Sequence, residues 1–133
     1  MMKQEEQELI YKLSIYEQQM QQLQQQLEVV EKTIVDVSSL NSELDELKGK
    51  TGEEIFAPVG RGIFAKAKLM SEELMVNVGE GNLITKSIPE TKKLIEKQID
   101  KLKEVRKELD SNLEKISHEL EELMKEAEKK KEE

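Results

Sequence analysis

Two short stretches near the middle of the chain have the residue types of a phosphate cradle: Val59-Gly60-Arg61-Gly62 and Val78-Gly79-Glu80-Gly81. Closely spaced glycines let backbone N–H groups approach an anion, provided a helix N-terminus or a following Lys-Ser/Thr completes the site. Neither stretch is completed in that way. No Gly-Lys-Ser/Thr follows, and no helical pattern begins directly after either pair. The remaining chemical candidate is His118, the only histidine, with Glu121 and Glu122 close by. A lone imidazole lacks the further strong ligands of a zinc site, and the chain has no cysteine to supply them. The other carboxylates fall on the outer faces of long helical patterns, where nothing excludes water as acid–base catalysis requires. The expectation is therefore no catalytic residue, no metal ligand and no cofactor, and a chain that is not an enzyme. The glycines are read as turn formers.

The elements that position these residues follow from composition and periodicity. Charged residues make up 38% of the 133 residues and aromatics 3%, with no Trp. A compact core draws much of its buried area from aromatics, so this profile suits long helices or a coiled coil. The formal net charge of −8 argues against nucleic acid or an anionic membrane as the main partner. The one compact basic run, Lys129 to Lys131, is flanked by Glu128, Glu132 and Glu133 and reads as a solvated helix end. The polar, acidic start Met-Met-Lys-Gln-Glu-Glu does not read as a signal peptide, and no apolar run approaches transmembrane length. The absence of cysteine suits a reducing compartment, and a cytoplasmic location is expected.

Apolar residues at Leu9, Leu13, Tyr16, Met20, Leu23, Leu27, Val30, Ile34 and Val37 step by four and three without a break. That is a heptad seam. Beyond it the Leu40, Leu44, Leu47 series implies a three-residue stammer, whereas Asn41 holds the strict register. A second seam runs through Ile95, Ile99, Leu102, Arg106, Leu109, Leu113, Ile116, Leu120, Leu123 and Ala127. Arg106 is its polar member, able to fix register or to send its charged head outward along an aliphatic stem. Glu28–Lys32, Glu121–Lys125 and Glu126–Lys130 have the spacing of helix-supporting ion pairs. Ser87 or Pro89 marks the start of the second helix. Each helix should run to about 40–45 residues, or roughly 60–68 Å at the helical rise. Matched lengths around a short insert predict arms that zip together antiparallel.

Between the arms the heptads vanish. Four short runs appear: Ile55 to Val59, Ile63 to Leu69, Leu74 to Val78, and Leu83 to Ile88. The second and third show period-two alternation, the strand signature. Gly60 and Gly62 separate the first two runs, and Gly79 and Gly81 the last two. Each Gly-x-Gly therefore sits where a β-hairpin must turn, and glycine supplies positive φ there at no steric cost. Pro58 makes the first run an edge strand or ends it. Two isolated hairpins would be marginal in water and would expose open edges. Ile55, Phe56, Val59, Ile63, Phe64, Leu69, Leu74, Val76, Val78, Leu83 and Ile84 are accordingly expected to pair with strands of other chains.

Helix, two Gly-x-Gly hairpins and helix, with matched heptad arms, resembles the α-class subunit of prefoldin. The sequence Ala-Pro-Val-Gly-Arg-Gly-Ile-Phe-Ala-Lys-Ala, Ala57 to Ala67, looks like that family's V-P-V-G-x-G-S-F-x-K-A turn and strand. A second similarity is Val76 to Gly81, followed by Ile84-Thr85-Lys86. Family β-class subunits have one hairpin, so two hairpins point to the α class. Arg61 stands where the family often has a small residue, and the C-terminal tail is short and charged. The resemblance implies an α+β fold. A long antiparallel coiled-coil hairpin would carry two central β-hairpins that close into an oligomerisation barrel. It further implies a hexamer of two α-type and four β-type subunits that holds non-native proteins at its coil tips without ATP. Clients would then pass to a group II chaperonin.

The residues point to the same tips. In an antiparallel hairpin both termini lie at one free end. Met1, Met2, Leu9, Ile10 and Leu13 come from one arm, and Leu120, Leu123 and Met124 from the other. Leu and Met make adaptable apolar contacts with varied clients; otherwise these side chains simply close the coil. The organisation expected is a single domain over 1–133: a coiled-coil helix at 1–48, the assembly hairpins at 53–88 and the second coiled-coil helix at 89–131. The rival readings are a prefoldin-like paralogue that self-assembles into a filament, and a structural coiled-coil tether with one dedicated partner.

Overall fold

The computed structural model describes residues 3–132, with side chains described as far as residue 129. Two long helices bracket four strands: α1 is Gln4–Glu46, β1 Glu54–Gly60, β2 Ile63–Lys68, β3 Leu74–Asn77, β4 Leu83–Lys86 and α2 Ile88–Glu132. The helices contain 43 and 45 residues. The chain divides into two units, one of Met1–Ile34 with Lys101–Glu133 and one of Val35–Asp100.

In the first unit the heptad positions are covered, and off the seam Ile15, Thr33 and Ser117 are half-buried too. Leu9, Leu13, Tyr16, Met20, Leu23, Leu27 and Val30 of α1 are half-buried and Ile34 is buried. Leu102, Leu109, Leu113, Ile116, Leu120, Leu123 and Ala127 of α2 are half-buried in turn. Half-burial is what a two-stranded coil allows, since each seam residue has a partner on one side only. The arms run antiparallel. Val29 and Val30 share a groove with Val105 and Leu109, while Gln22 and Leu23 share another with Asn112 and Ile116. Tyr16 hydrogen-bonds to Glu119, whose carboxylate pushes the phenol above its ordinary pKa, by its charge first and the hydrogen bond second. Arg106 keeps its heptad place, half-buried.

In the second unit the core is Leu44, Ile88 and Ile95, with Val37, Leu47, Leu74 and Ile99 packed around it. Here three expectations are corrected. Asn41 occupies the seam, half-buried, and Leu40 is exposed. The heptad therefore continues without the stammer. Burial at 41 follows from the 3.6-residue turn carrying Val37 and Leu44 on one stripe, whatever residue lies between them. The fourth strand ends at Lys86, and Ile88 is the first residue of α2 and the most buried side chain, 2% exposed. Its burial draws the chain off the sheet and into the helical core. Finally, neither Glu28–Lys32 nor Glu121–Lys125 is among the ion pairs formed by the described residues; Glu126–Lys130 involves a side chain outside them. Long exposed side chains gain too little from pairing to be held in one geometry.

The junctions are built by side chains. Ser87 caps α2: its Oγ accepts from Glu90 N at 3.2 Å and donates to Glu90 Oε1 at 3.2 Å, the residue pattern of a capping box. Thr91, buried, donates from Oγ1 to the Ser87 carbonyl at 2.8 Å. Past the end of α1, Gly49 N donates to Glu72 Oε1 at 2.5 Å, which ties the linker between the hairpins to the helix terminus.

Candidate assembly surface and coil end

The strands form two separate two-stranded antiparallel sheets, β1–β2 and β3–β4. Every strand is therefore an edge, and Pro58, paired with Phe64 inside β1, has no backbone N–H to donate, which an edge strand tolerates. Cross-strand partners share a face. On the first hairpin Phe56↔Lys66 and Pro58↔Phe64 present one face, and Ile55↔Ala67 and Ala57↔Ala65 the other. The register shifts between Pro58 and Gly60, leaving Val59 bulged beside the turn. Bulges of this kind re-aim a strand end and sharpen its twist. On the second hairpin Leu74↔Lys86 and Val76↔Ile84 share one face, Met75↔Thr85 and Asn77↔Leu83 the other.

The Gly-x-Gly segments are the turns. Val78 N donates to the Asn82 carbonyl and Asn82 N to the Gly79 carbonyl, each at 2.9 Å. The Asn77 side-chain oxygen accepts from Gly79 N at 2.9 Å, an Asx turn that starts the reversal. Gly60, Gly62, Gly79 and Gly81 all have positive φ, and so do the central residues Arg61 and Glu80.

The strand residues singled out from sequence fall into two groups. Leu74 and Val76 are half-buried and face the helical core, with Leu74 packed against it. Ile55 and Leu69 are half-buried at the base of the first hairpin, where Gly52 N donates to the Leu69 carbonyl at 2.7 Å. Phe56, Val59, Ile63, Phe64, Val78, Leu83 and Ile84 are exposed; Phe56 shows 69% of its surface and Val59 71%. Two exposed methionines were not anticipated: Met70, 92% exposed, and Met75. Period two was the available signal for Met75, since it must face away from Leu74 and Val76. Leu40, expected from sequence in the seam, and Leu94, not singled out, belong to this surface as well. With Leu44, Leu74, Val76 and Ile95 they line an open apolar groove beside the second hairpin.

At the free end of the coil Leu9, Leu13, Leu120 and Leu123 sit half-buried in the seam. Ile10 and Met124 stand off the seam and are exposed, together with Tyr11, which the heptad count had not singled out. Met1 and Met2 lie outside the described residues. His118 is exposed on α2 and pairs with Glu122 at 3.2 Å. Among the described residues no group of three acidic, His or Cys side chains is arranged to hold a metal, and no helix is long and apolar enough to cross a membrane.

Against known proteins, the Prefoldin family, described as Prefoldin subunit, matches residues 16–133. The prefoldin subunit alpha of Methanobrevibacter smithii is 36% identical over 92 residues, covering 68% of this chain and 63% of that protein. The subunit of the same name from Methanosphaera stadtmanae is 27% identical, and 64% of its length is covered; the chain thus spans just under two thirds of both proteins. The prefoldin subunit alpha of Methanococcus aeolicus is 30% identical over 131 residues, covering 97% of this chain and 89% of that one. In fold, the filamentous PFD of Methanocaldococcus jannaschii, solved by cryo-EM, is similar with a TM-score of 0.76 at 24% identity, over 86% of this chain and 96% of that one. A family match over residues 16–133 and a relative aligned almost end to end, on two long helices joined through two Gly-x-Gly hairpins, make this chain a member of the prefoldin α-subunit family.

Proposed function

We propose that the chain is a subunit of an ATP-independent, cytoplasmic holdase that assembles through its hairpins and holds non-native proteins at its coil ends. The observation that carries this reading is the exposure of Phe56, Val59, Ile63, Phe64, Met75, Val78 and Leu83 on hairpins whose strand edges are all unpaired. Isolated hairpins of this size are marginal in water, so the exposed faces are read as surfaces for other subunits. Prefoldin subunits form oligomers with one another and are non-enzymatic chaperones. For this chain the assembly proposed is a hexamer of two α-type and four β-type subunits, with delivery of clients to a group II chaperonin. Ile10, Tyr11 and Met124, exposed at the free end of the coil, are the proposed client contacts, joined by seam residues Leu9, Leu13, Leu120 and Leu123 where the last turns open, and by Met1 and Met2.

The test is the solution mass of the chain alone and mixed with a β-type prefoldin subunit, followed by suppression of aggregation of a denatured client. Conversion to a heterohexamer that suppresses aggregation without ATP supports the reading; a heterohexamer with no suppression defeats it. A second reading is a self-assembling filament, favoured by the unpaired strand edges and by the filamentous relative of the same fold. A large homopolymer that ignores the β-type subunit would establish that alternative.

A further inference from the structure

We propose that one flank of the coiled coil is a groove for extended, non-native polypeptide. The carboxamides of Gln19, Gln22, Gln26 and Asn112 hydrogen-bond to the client's backbone, and Val29 and Val105 take an apolar side chain. This rests on the reading that the chain holds non-native proteins. It adds a second place, and a different chemistry, to the contacts proposed at the coil end.

The two flanks of the coil are unlike. Gln19, Gln22, Gln26 and Val29 follow one another at steps of three and four along one side of α1, next to the seam. Val105, Asn112 and Glu119 hold the matching heptad position of α2. Residues of both helices line two grooves that share Gln22 and Gln26 and so run into one another. The opposite flank carries Glu17, Glu31, Lys103 and Asp110 beside the seam, the charged composition usual for a coil. From Gln18 to Leu27 α1 has no charged residue, in a chain of which 38% is charged. Lys115 and Glu119 are the charged members of the groove, and they are opposite in sign.

The groove joins apolar surface to free amides. Val29 is 64% exposed and Val105 42%, and the half-buried seam residues Val30 and Leu109 line the same stretch. Gln19, Gln22, Gln26 and Asn112 are exposed, and among the described residues their carboxamides make no hydrogen bond within the chain. A carboxamide offers N–H donors and a carbonyl acceptor, the same groups a peptide unit presents. It carries no charge, so covering it with a ligand costs less than covering Glu or Lys. A non-native segment has backbone N–H and C=O groups in need of partners, whereas a docked helix has already paired its own. The groove therefore suits an extended chain rather than a second helix. Residues 19–30 span about 16 Å at the helical rise, room for about five extended residues. Every backbone presents the same groups, so such a site accepts many sequences.

The probe is a fluorescein-labelled peptide of alternating valine and serine, about eight residues long, read by fluorescence anisotropy. It is titrated with the full chain carrying Ile10→Ser, Tyr11→Ser and Met124→Ser, which silences the coil end. In that background Gln22→Ala, Gln26→Ala and Asn112→Ala together should weaken binding about tenfold, and so should Val29→Ser with Val105→Ser. All these positions are exposed, so helicity by circular dichroism should stay unchanged. Glu17→Gln with Glu31→Gln, on the opposite flank, should leave binding as it was. Two analogues of the peptide, N-methylated on alternate residues, each lose the N–H groups of one edge. One of them should bind about tenfold more weakly than the parent. Groove variants that bind at full strength, methylated analogues that both bind like the parent, or no binding at all in the coil-end background overturns the proposal. Suppression of client aggregation is a separate readout. Peptide binding in the groove without any suppression by wild type defeats the holdase reading alone; suppression lost with the coil end, and peptide binding untouched by the groove variants, defeats the groove alone.

Discussion

Lys92 Nζ lies 2.6 Å from Oδ1 and 2.7 Å from Oδ2 of Asp45, so one lysine of α2 grips both carboxylate oxygens in the last turn of α1. Lys48 adds a contact to Oδ1 at 3.1 Å. An acidic residue at a helix C-terminus is unfavourable against the helix dipole, and the two lysines offset this. The hydrogen bond from Lys92, then that from Lys48, holds the Asp45 carboxyl below its ordinary pKa of 3.8. A lowered folded pKa means stability that is present above the unfolded value and lost as pH falls through the folded one. Asp45→Asn should therefore lower the melting temperature slightly at neutral pH, since the exposed pair is screened by solvent, with the gap closing below the usual carboxylate range. A gap of the same size at acid pH would exclude this account.

Ile88 should be the most sensitive single position of the Val35–Asp100 unit. It is 2% exposed and forms the core cluster with Leu44 and Ile95. Ile88→Ala removes buried methylenes and leaves a cavity, at a cost of about 3 kcal/mol. Urea unfolding at fixed protein concentration reads it. A loss below about 1 kcal/mol would mean that the site collapses onto the truncated side chain.

Asn41 Oδ1 is buried without a hydrogen-bond partner among the described residues, in a seam otherwise apolar from Val37 to Leu44. Asn41→Leu should raise stability by about 1–2 kcal/mol, since it removes an unsatisfied polar atom and adds apolar contact. If thermal unfolding shows a loss instead, the amide has a partner in solution.

Ile10, Tyr11 and Met124 can be tested without disturbing the seam, because all three are exposed. Changing them together to serine should strongly reduce suppression of client aggregation while leaving helicity and subunit assembly intact. Unchanged suppression would remove the coil end from the proposed mechanism.

Much of this architecture was legible from one-dimensional pattern. The steps of four and three from Leu9 to Val37 and from Ile95 to Ala127 located both helices, because a 3.6-residue turn forces any such series onto one stripe. Gly60, Gly62, Gly79 and Gly81 located both hairpins, because positive φ is read directly from residue type. What was not legible had competing local signals. At 40 and 41 residue type favoured Leu40 for the seam, and helix geometry buried Asn41 instead. At Ile88 the apolar strand run continued past the point where the Ser87 cap had already begun a helix. Tyr11 and Met70 belong to no periodic series, so nothing in the spacing set them apart.

The sequence by itself determined element type, order and turn positions, because these depend on backbone preference and on spacing within a few residues. Only the tertiary structure decided which apolar side chains remain uncovered. Phe56 and Leu74 are both strand hydrophobics, yet Leu74 packs on the helical core while Phe56 stays open. Burial depends on what the rest of the chain brings alongside, and two helices and two small hairpins bring too little to cover every apolar face.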